Sequence, residues 1–232
     1  MPISIDKVPT GLLSLVKTAA VSLDKNGLTG QRAAVHLVLD RSGSMRTYYR
    51  DGTMQHLAEQ ALALSANLDD DGIVPVIFFD TDAYPPVELN LANYTGRINE
   101  LHEAHGHMGT TNYAAAMDEV LTHHLDSGAS HPAFVIFQTD GSPDSRRAAE
   151  QTLCKASKLP LFWMFIGFGD DEFRFLRKLD ELAVPKKRLV DNAHFFPAGS
   201  DPRTLTDREL YDALMVEFPN WLAAARSAGV LH

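Results

Sequence analysis

The chain has 232 residues, of which 45% are hydrophobic and 22% charged, which is enough apolar material for one large α/β domain or two small ones. It carries 21 Lys and Arg against 30 Asp and Glu, a net charge of −9, and this balance argues against a nucleic-acid-binding surface. The single cysteine, Cys154, excludes a disulfide framework and suits a reducing compartment. With no apparent signal peptide and no run of about 18 apolar residues, we expect a cytoplasmic protein that does not enter the membrane.

Hydrophobic periodicity predicts an N-terminal helix followed by an alternation of strands and helices. Residues 1–30 are expected to form an extension that packs on the domain, with a helix that stops near Asn26-Gly27. The domain itself is expected over residues 31–227, with a short tail at residues 228–232. Helices are predicted between the strands, and strands are predicted at residues 34–39, 73–79, 87–91, 133–138, 161–167 and 193–196.

The order of these elements predicts the fold class. Strands that alternate with helices are joined by right-handed crossovers, which place the strands parallel and the helices on both faces. The strand at residues 87–91 follows Pro85-Pro86, which favours a sheet edge, and Pro219 is expected to break or kink the last helix. We therefore predict an α/β domain with a doubly wound, mostly parallel sheet, one short antiparallel edge strand and helices on both faces.

The segment from Asp40 to Ser44 directly follows the first apolar strand and offers a carboxylate and two hydroxyls at alternate positions. These oxygens can bend around one small hard cation, and they suit magnesium or manganese rather than zinc or copper. Open α/β sheets bind their ligands at this end of the strands. The alternative is a strand-to-helix turn in which Asp40, Ser42 and Ser44 only cap backbone amides.

Two other loops are predicted to reach the same end of the sheet. Asp140 follows a strand just as Asp40 does, so its carboxylate is expected in the same crevice. The segment at residues 109–112 opens a helix and offers a hydroxyl from Thr110 or Thr111. A six-coordinate cation needs these additional oxygens, because the first loop alone supplies too few.

Together, the three loops resemble the metal-ion-dependent adhesion site (MIDAS) of von Willebrand factor A (VWA) domains, whose fold is Rossmann-like. The resemblance extends over roughly residues 31–227. It implies that the serines bind the cation directly and that at least one aspartate acts through water. Thr110 stands where the family often has glycine, which leaves open whether Thr110 or Thr111 is the ligand. Position by position, the resemblance implies a metal site formed by Asp40, Ser42, Ser44, Thr111 and Asp140.

A narrower resemblance concerns both ends of the domain. Residues 8–50 and 209–222 are similar to the bacterial cytoplasmic A domains associated with tellurium resistance and chemical stress. This resemblance implies a metal-dependent protein–protein interaction module rather than an enzyme. The expected ion is Mg²⁺, with Mn²⁺ or Ca²⁺ as alternatives, and the expected partner is a protein that supplies an Asp or Glu carboxylate to the ion. The partner's identity and the oligomeric state are left open.

Four residues in and after the first loop are candidates for the rim of the partner surface. Arg41, Tyr48, Tyr49 and Arg50 belong to residue types that often anchor interfaces. The competing interpretation is a solvated loop with a packed aromatic residue.

Histidines cluster at residues 102–107, and such clusters bind zinc or nickel in some proteins. Only Glu103 is available nearby to complete a ligand set. The segment is therefore interpreted as a solvated loop.

The main alternative function is a magnesium-dependent phosphohydrolase with Asp40 as its nucleophile. Haloacid-dehalogenase-like phosphatases also begin from an aspartate at a strand end, but they need a second aspartate two positions later as the general acid. That position is Ser42 in this chain, and the sequence nominates no base within reach of the nucleophile. Binding is therefore favoured over catalysis.

Overall fold

The computed structural model of the protein describes residues 2–129, 131–184 and 186–231. Within these residues the strands are β1 (Ala34–Asp40), β2 (Ile73–Phe79), β3 (Val87–Asn90), β4 (Ala133–Thr139), β5 (Leu161–Phe168) and β6 (Ala193–Gly199). They form one sheet in the order β3-β2-β1-β4-β5-β6. β3 is antiparallel to β2 and every other neighbouring pair is parallel, which confirms the predicted fold class.

Helices cover both faces of this sheet. In the described part of the chain the α-helices are α1 (Leu13–Lys25), α2 (Arg46–Arg50), α3 (Thr53–Leu68), α4 (Arg97–Ala104), α5 (Tyr113–Asp126), α6 (Arg146–Ala156), α7 (Arg174–Asp180), α8 (Asp207–Leu214) and α9 (Phe218–Ser227). None of these helices is long and apolar enough to pass through a lipid bilayer.

The central strands are buried on both faces, because successive side chains of a strand point to opposite sides and both sides carry helices. Leu37 and Leu39 of β1 join the hydrophobic cluster formed with α1, α3, α8 and α9. Val38 between them joins the cluster formed with α5, α6 and α7. The sheet is thus the middle layer of three, and its strand ends are left free to carry polar loops.

The N-terminal helix α1 packs against α3 and α8. Leu15 and Val16 of this helix belong to the same hydrophobic cluster as the side chains of α3. The division of the chain at residues 30 and 227 stays a prediction, and Met1 and His232 lie outside the described residues.

The C-terminal helix is broken as predicted, because α8 ends at Leu214 and α9 begins at Phe218, directly before Pro219. Pro219 lies in the first turn of α9, where its missing N–H has no intrahelical acceptor to lose. The helix that follows presses Phe218 onto the sheet. The centroid of its ring lies 4.9 Å from that of Phe134 and 5.6 Å from that of Phe162. The C-terminal segment is therefore held by aromatic packing on β4 and β5.

Replacing Phe218 by alanine is expected to lower the free energy of unfolding by roughly 3–5 kcal/mol, because the loss of a buried ring leaves a cavity between α9 and the sheet. Val216 is the matched control, since its side chain is 55% exposed. Val216→Ala is expected to change the free energy of unfolding by less than about 0.5 kcal/mol. Urea denaturation followed by circular dichroism measures both, and equal effects would contradict the packing described.

Candidate metal centre

The carboxyl ends of β1 and β4 bring the first and third predicted loops together. These strands are parallel neighbours, and Leu39 pairs with Gln138, so Asp40 lies level with Thr139. Asp140 follows one residue later at the same edge of the sheet. Both aspartates therefore reach one end of the sheet, where ligands of open α/β sheets bind.

A chain of hydrogen bonds joins four of the five predicted ligands. The backbone N–H of Ser42 donates to Asp40 Oδ1 at 2.6 Å, and the hydroxyl oxygens of Ser42 and Ser44 lie 3.2 Å apart. Ser44 Oγ then donates to Asp140 Oδ1 at 2.9 Å. The other oxygen of Asp40, Oδ2, accepts from Thr139 Oγ1 at 2.6 Å. Side-chain oxygens from two loops thus form one compact group.

The threonine-containing loop lies against the first loop through backbone contacts. Ser42 and Gly109 form an isolated parallel bridge, and the N–H of Gly43 donates to Gly109 O at 3.3 Å. A Cβ at Gly109 would lie only 2.5 Å from the hydroxyl of Thr81. The close approach of the threonine-containing loop to the loop after β2 therefore requires glycine at this position.

The two threonines of this loop have different surroundings. Thr110 Oγ1 donates to Asp144 Oδ2 at 2.6 Å and lies 3.3 Å from Thr81 Oγ1. Thr111 contributes its backbone instead: its N–H donates to the Asp144 carboxylate at 3.2 Å, and the N–H of Asp144 donates to its carbonyl at 2.9 Å. The Thr110 hydroxyl is thus engaged by Asp144 and Thr81, and the assignment of Thr111 as the hydroxyl ligand stays a prediction.

Asp40 is a fully buried carboxylate, and within the described residues no basic side chain forms an ion pair with it. Burial raises the pKa of Asp40 to about 7, against the effect of the hydrogen bonds from Thr139 and Ser42, and the nearby carboxylate of Asp140 adds to the rise. Burial also raises the pKa of Asp140. Two carboxylates among neutral hydroxyl groups form a set of hard oxygen donors, which fits a divalent cation such as magnesium, manganese or calcium.

The sequence matches a known family over most of its length. The profile of the vWA-TerF-like family, described as the vWA found in the TerF C terminus, matches residues 32–231. The chain belongs to this family of VWA domains. The match confirms the predicted resemblance to VWA domains of the tellurium-resistance type. An uncharacterized protein of Bacillus subtilis (strain 168), YcbR, is 34% identical over 220 residues, which cover 93% of this chain and 88% of that protein.

Solved structures of distant sequence share the fold of this VWA domain. The manganese-loaded TRAP protein of Plasmodium vivax matches with a TM-score of 0.55 and 19% identity, over 80% of this chain and 75% of its own. A von Willebrand factor type A protein from Catenulispora acidiphila matches with a TM-score of 0.56 and 19% identity, over 80% and 43%. Proximal thread matrix protein 1 from the mussel byssus, with a zinc-occupied MIDAS motif, matches with a TM-score of 0.56 and 14% identity, over 79% and 48%.

The prediction that Arg41 lies on the rim of a partner surface is wrong. Its side chain is 0% exposed and forms an ion pair with Asp80, with 3.0 Å between Nη1 and Oδ2. The guanidinium also donates to the carbonyl oxygens of Gly106 at 2.6 Å and His107 at 3.3 Å. In this VWA domain Arg41 therefore holds the loop after α4 in place.

Tyr49 is also buried, and the prediction that it belongs to the rim is wrong. Its ring stacks on His102 with 3.9 Å between the centroids, and its hydroxyl donates to the carbonyl oxygen of Asp40 at 2.9 Å. His102 accepts a hydrogen bond from Arg41 at 3.2 Å, and burial together with that positive charge lowers the pKa of His102 to about 4. The interpretation of the histidine segment as a solvated loop is therefore wrong for His102, which supports the first loop.

The other two predicted rim residues remain accessible. Tyr48 is half-buried, with its ring centroid 5.3 Å from that of Phe168, and Arg50 is exposed. Tyr48 also lines a cleft of about 480 Å³ that begins at Ser44 and Asp140. A rim role for Tyr48 and Arg50 stays a prediction.

Asp80 is the residue at this end of the VWA domain that sequence reasoning missed. It directly follows the apolar run of β2 just as Asp40 follows the apolar run at residues 34–39, and this position is the signal that could have found it. Tyr84 Oη donates to Asp80 Oδ2 at 2.9 Å, and the N–H of Asn112 donates to its carbonyl oxygen at 2.8 Å. Asp80 therefore ties the loop after β2 to the threonine loop.

Arg41→Met is expected to lower the free energy of unfolding by roughly 3–5 kcal/mol, because it leaves the Asp80 carboxylate buried without its partner. Asp80→Asn is expected to have a similar effect, and the double substitution less than the sum of the two. Chemical denaturation of wild type, both single variants and the double variant measures the coupling between the two side chains. Arg50→Met is the control, with an expected change within about 0.5 kcal/mol. Strict additivity would contradict a direct interaction.

Without a divalent cation, Asp40 is expected to reduce the stability of the VWA domain as the pH rises. Its pKa in the folded state is about 7 and its ordinary value is 3.8, so the folded state holds this proton more tightly than the unfolded state does. The stabilisation is complete below about pH 4 and is lost as the pH rises through about 7. Asp40→Asn removes the titrating group. In excess EDTA, the melting temperature of the variant should rise relative to that of wild type as the pH increases from about 5 to about 8. A difference in melting temperature that does not change with pH would refute this expectation.

Proposed function

We propose that this VWA domain is a protein-binding module whose contact with its partner depends on a divalent cation held by Asp40, Ser42, Ser44, Thr111 and Asp140. The observation that carries the proposal is the full burial of the Asp40 carboxyl group, which among the described residues forms no ion pair with a basic side chain. The carboxylate of Asp40 is 0% exposed, accepts hydrogen bonds from neutral donors and lies close to a second carboxylate, while the adjacent Arg41 is committed to Asp80. A buried anion without a positive partner is costly, and a bound cation removes that cost.

Magnesium is the proposed ion, with manganese or calcium as alternatives. The donors are carboxylate and hydroxyl oxygens, which are the ligands that these hard cations prefer. The manganese and zinc present in two proteins of the same fold support a divalent ion at this place. The residues of the chain would hold and orient this ion, which would supply open coordination positions for an incoming carboxylate.

The partner is proposed to be a protein that presents an Asp or Glu side chain. The cleft of about 480 Å³ gives access to the site from the side of Ser44, which is exposed, and of Asp140, which is partly exposed. Tyr48 lines this cleft, and Arg50 lies nearby in sequence on the exposed face of α2. We propose these two residues as the rim that selects the partner.

The cellular setting is proposed from the family. The matching profile takes its description from TerF, and this supports a role in tellurium resistance or a wider response to chemical stress. The single cysteine of the chain suits the cytoplasm, where thiols stay reduced.

Binding is proposed rather than phosphoryl-ester hydrolysis by Asp40. Both carboxylate oxygens of Asp40 are engaged, one by the N–H of Ser42 and one by the hydroxyl of Thr139. A nucleophile needs one oxygen facing the substrate, and a general acid would have to stand where Ser42 is. Release of phosphate from simple esters, with loss of that activity in Asp40→Asn, would favour the enzyme instead.

The test is partner capture in the presence and absence of magnesium. Immobilised wild-type protein is expected to retain a partner in Mg²⁺ and to release it in EDTA, because the partner's carboxylate needs an open position on the ion. Asp40→Asn and Ser42→Ala are expected to lose the magnesium-dependent fraction. Isothermal titration with Mg²⁺ alone checks separately whether each variant has lost the ion.

Asp82→Asn is the matched control for capture, because Asp82 is an exposed carboxylate in the loop after β2. It should retain the partner as wild type does. Capture that persists in excess EDTA, or that survives Asp40→Asn unchanged, would refute the proposed function.

A further inference from the structure

A second group of side chains of the types that bind metal ions lies near β6, the strand at one edge of the sheet. Asp180 ends α7, His194 is the second residue of β6, and Glu217 directly precedes α9. In the described residues these three side chains each offer one ligand atom, and the three atoms all lie within 4.8 Å of one another. Three separate elements of the fold thus meet at one point.

The two distances from His194 to its carboxylate neighbours are close to those between ligands of a tetrahedral metal ion. His194 Nδ1 lies 3.3 Å from Glu217 Oε1 and 3.6 Å from Asp180 Oδ2. Zinc binds histidine nitrogen and carboxylate oxygen at about 2.0–2.2 Å, and two such ligands at the tetrahedral angle lie roughly 3.3–3.5 Å apart. The side chains therefore need little movement to share one ion.

His194 Nδ1 is the atom that faces both carboxylates. It is buried, and within the described part of the chain it makes no hydrogen bond of acceptable geometry. Its two neighbours are partly exposed, with 24% of the Asp180 side chain and 36% of the Glu217 side chain accessible. A buried nitrogen donor with two carboxylates open to solvent leaves room for water as a fourth ligand, as in zinc sites with three protein ligands.

The charges around the group also favour a cation. Asp191 adds a third carboxylate whose field reaches both His194 and Glu217. Arg188 contributes one positive charge, but its Nη1 is paired with Asp191 at 2.7 Å. Although burial lowers the pKa of His194, the carboxylates of Asp180, Glu217 and Asp191 raise it above its ordinary value, so a metal ion bound at this nitrogen must displace a proton.

His56 shows that a histidine between two carboxylates is not by itself such a site. Glu59 faces its Nδ1 at 4.0 Å, whereas Asp207 faces its Nε2 at 3.3 Å. The two carboxylates lie at different ring nitrogens, so they cannot share an ion with a single nitrogen of this ring. At His194 both carboxylates lie at the same nitrogen, which is the arrangement a shared ion requires.

We propose that Asp180, His194 and Glu217 form a second metal site, which takes a transition-metal dication with mixed nitrogen and oxygen preference such as Zn²⁺. Bound there, the ion joins the end of α7 and the start of β6 to the first residue before α9. The site thereby fixes the position of the C-terminal helix.

This site is separate from the first one. His194 pairs with Met164, which pairs with Ile136, which pairs with Leu37. His194 therefore lies three strands away from β1, level with Leu37, whereas Asp40 lies three residues further along β1. Strand spacing and rise place the two sites on the order of 15 Å apart.

The test uses the full chain carrying Asp40→Asn, so that metal binding at the first site is impaired. Zinc titrated into this protein is expected to bind with one ion per chain and to raise the melting temperature, whereas Mg²⁺ is expected to do neither. Adding His194→Gln should weaken zinc binding by roughly tenfold or more, because loss of even a supporting contact typically costs 10–100-fold. Adding Glu217→Gln should do the same.

His56→Gln is the matched control and should leave zinc binding unchanged. Circular dichroism without metal shows whether each variant folds. If the His194→Gln variant does not fold, zinc binding by the Glu217→Gln variant tests the proposal instead. Cobalt provides a second readout, since its visible absorption in the Asp40→Asn protein should disappear with His194→Gln. Zinc binding that is equal in the His194 and Glu217 variants and in their parent, or no zinc binding by the parent, would overturn the proposal.

Discussion

Two adjacent residues at the end of β1 carry opposite charges that do not neutralise each other. Asp40 and Arg41 are both fully buried, yet Arg41 pairs with Asp80 beyond β2 while Asp40 accepts from Thr139 at the end of β4. The N–H of Arg41 donates to Phe79 O at 2.7 Å, which continues the contact between β1 and β2 past the strand end. Because the positive charge is committed to the β2 side, the negative charge of Asp40 stays available on the β4 side. The loops of the candidate metal centre keep these two charges apart, with Arg41 on the β2 side and Asp40 on the β4 side.

The loops are also fastened to one another without any ion. Tyr113, the first residue of α5, donates through its hydroxyl to Gly141 O at 2.5 Å and lies 3.1 Å from Thr139 Oγ1. Asp144 holds the backbone of Thr111 from the other side. Side chains held in this way lose little further freedom when a ligand arrives, so more of the interaction energy appears as affinity. Preorganisation of the site is therefore a property of the loops and not only of the strands that carry them.

The sequence predicted those parts of the site that depend on strand ends. Asp40 and Asp140 each follow an apolar run, and parallel strands bring such residues to one edge. It failed for Arg41 and Tyr49, because Tyr49 is covered by His102 of α4 and Arg41 by the loop after α4. Single-sequence patterns carry no information about such distant contacts. For Tyr49 a local signal did exist: Met45 precedes it by four residues, and both face the core.

Under the proposed function, the acidic character of the cleft explains why an ion would be required at all. Asp51, Asp140 and Asp201 line it, so an approaching carboxylate meets repulsion when no cation is present. Asp40 is fully buried, so its carboxylate adds to this negative potential but is not accessible to the partner. A divalent cation held by Asp40 and Asp140 would reverse the local sign of the charge on the side that faces the cleft. The same acidic walls favour a partner that carries a basic residue beside its Asp or Glu, and so they contribute to selectivity as well as to dependence on the ion.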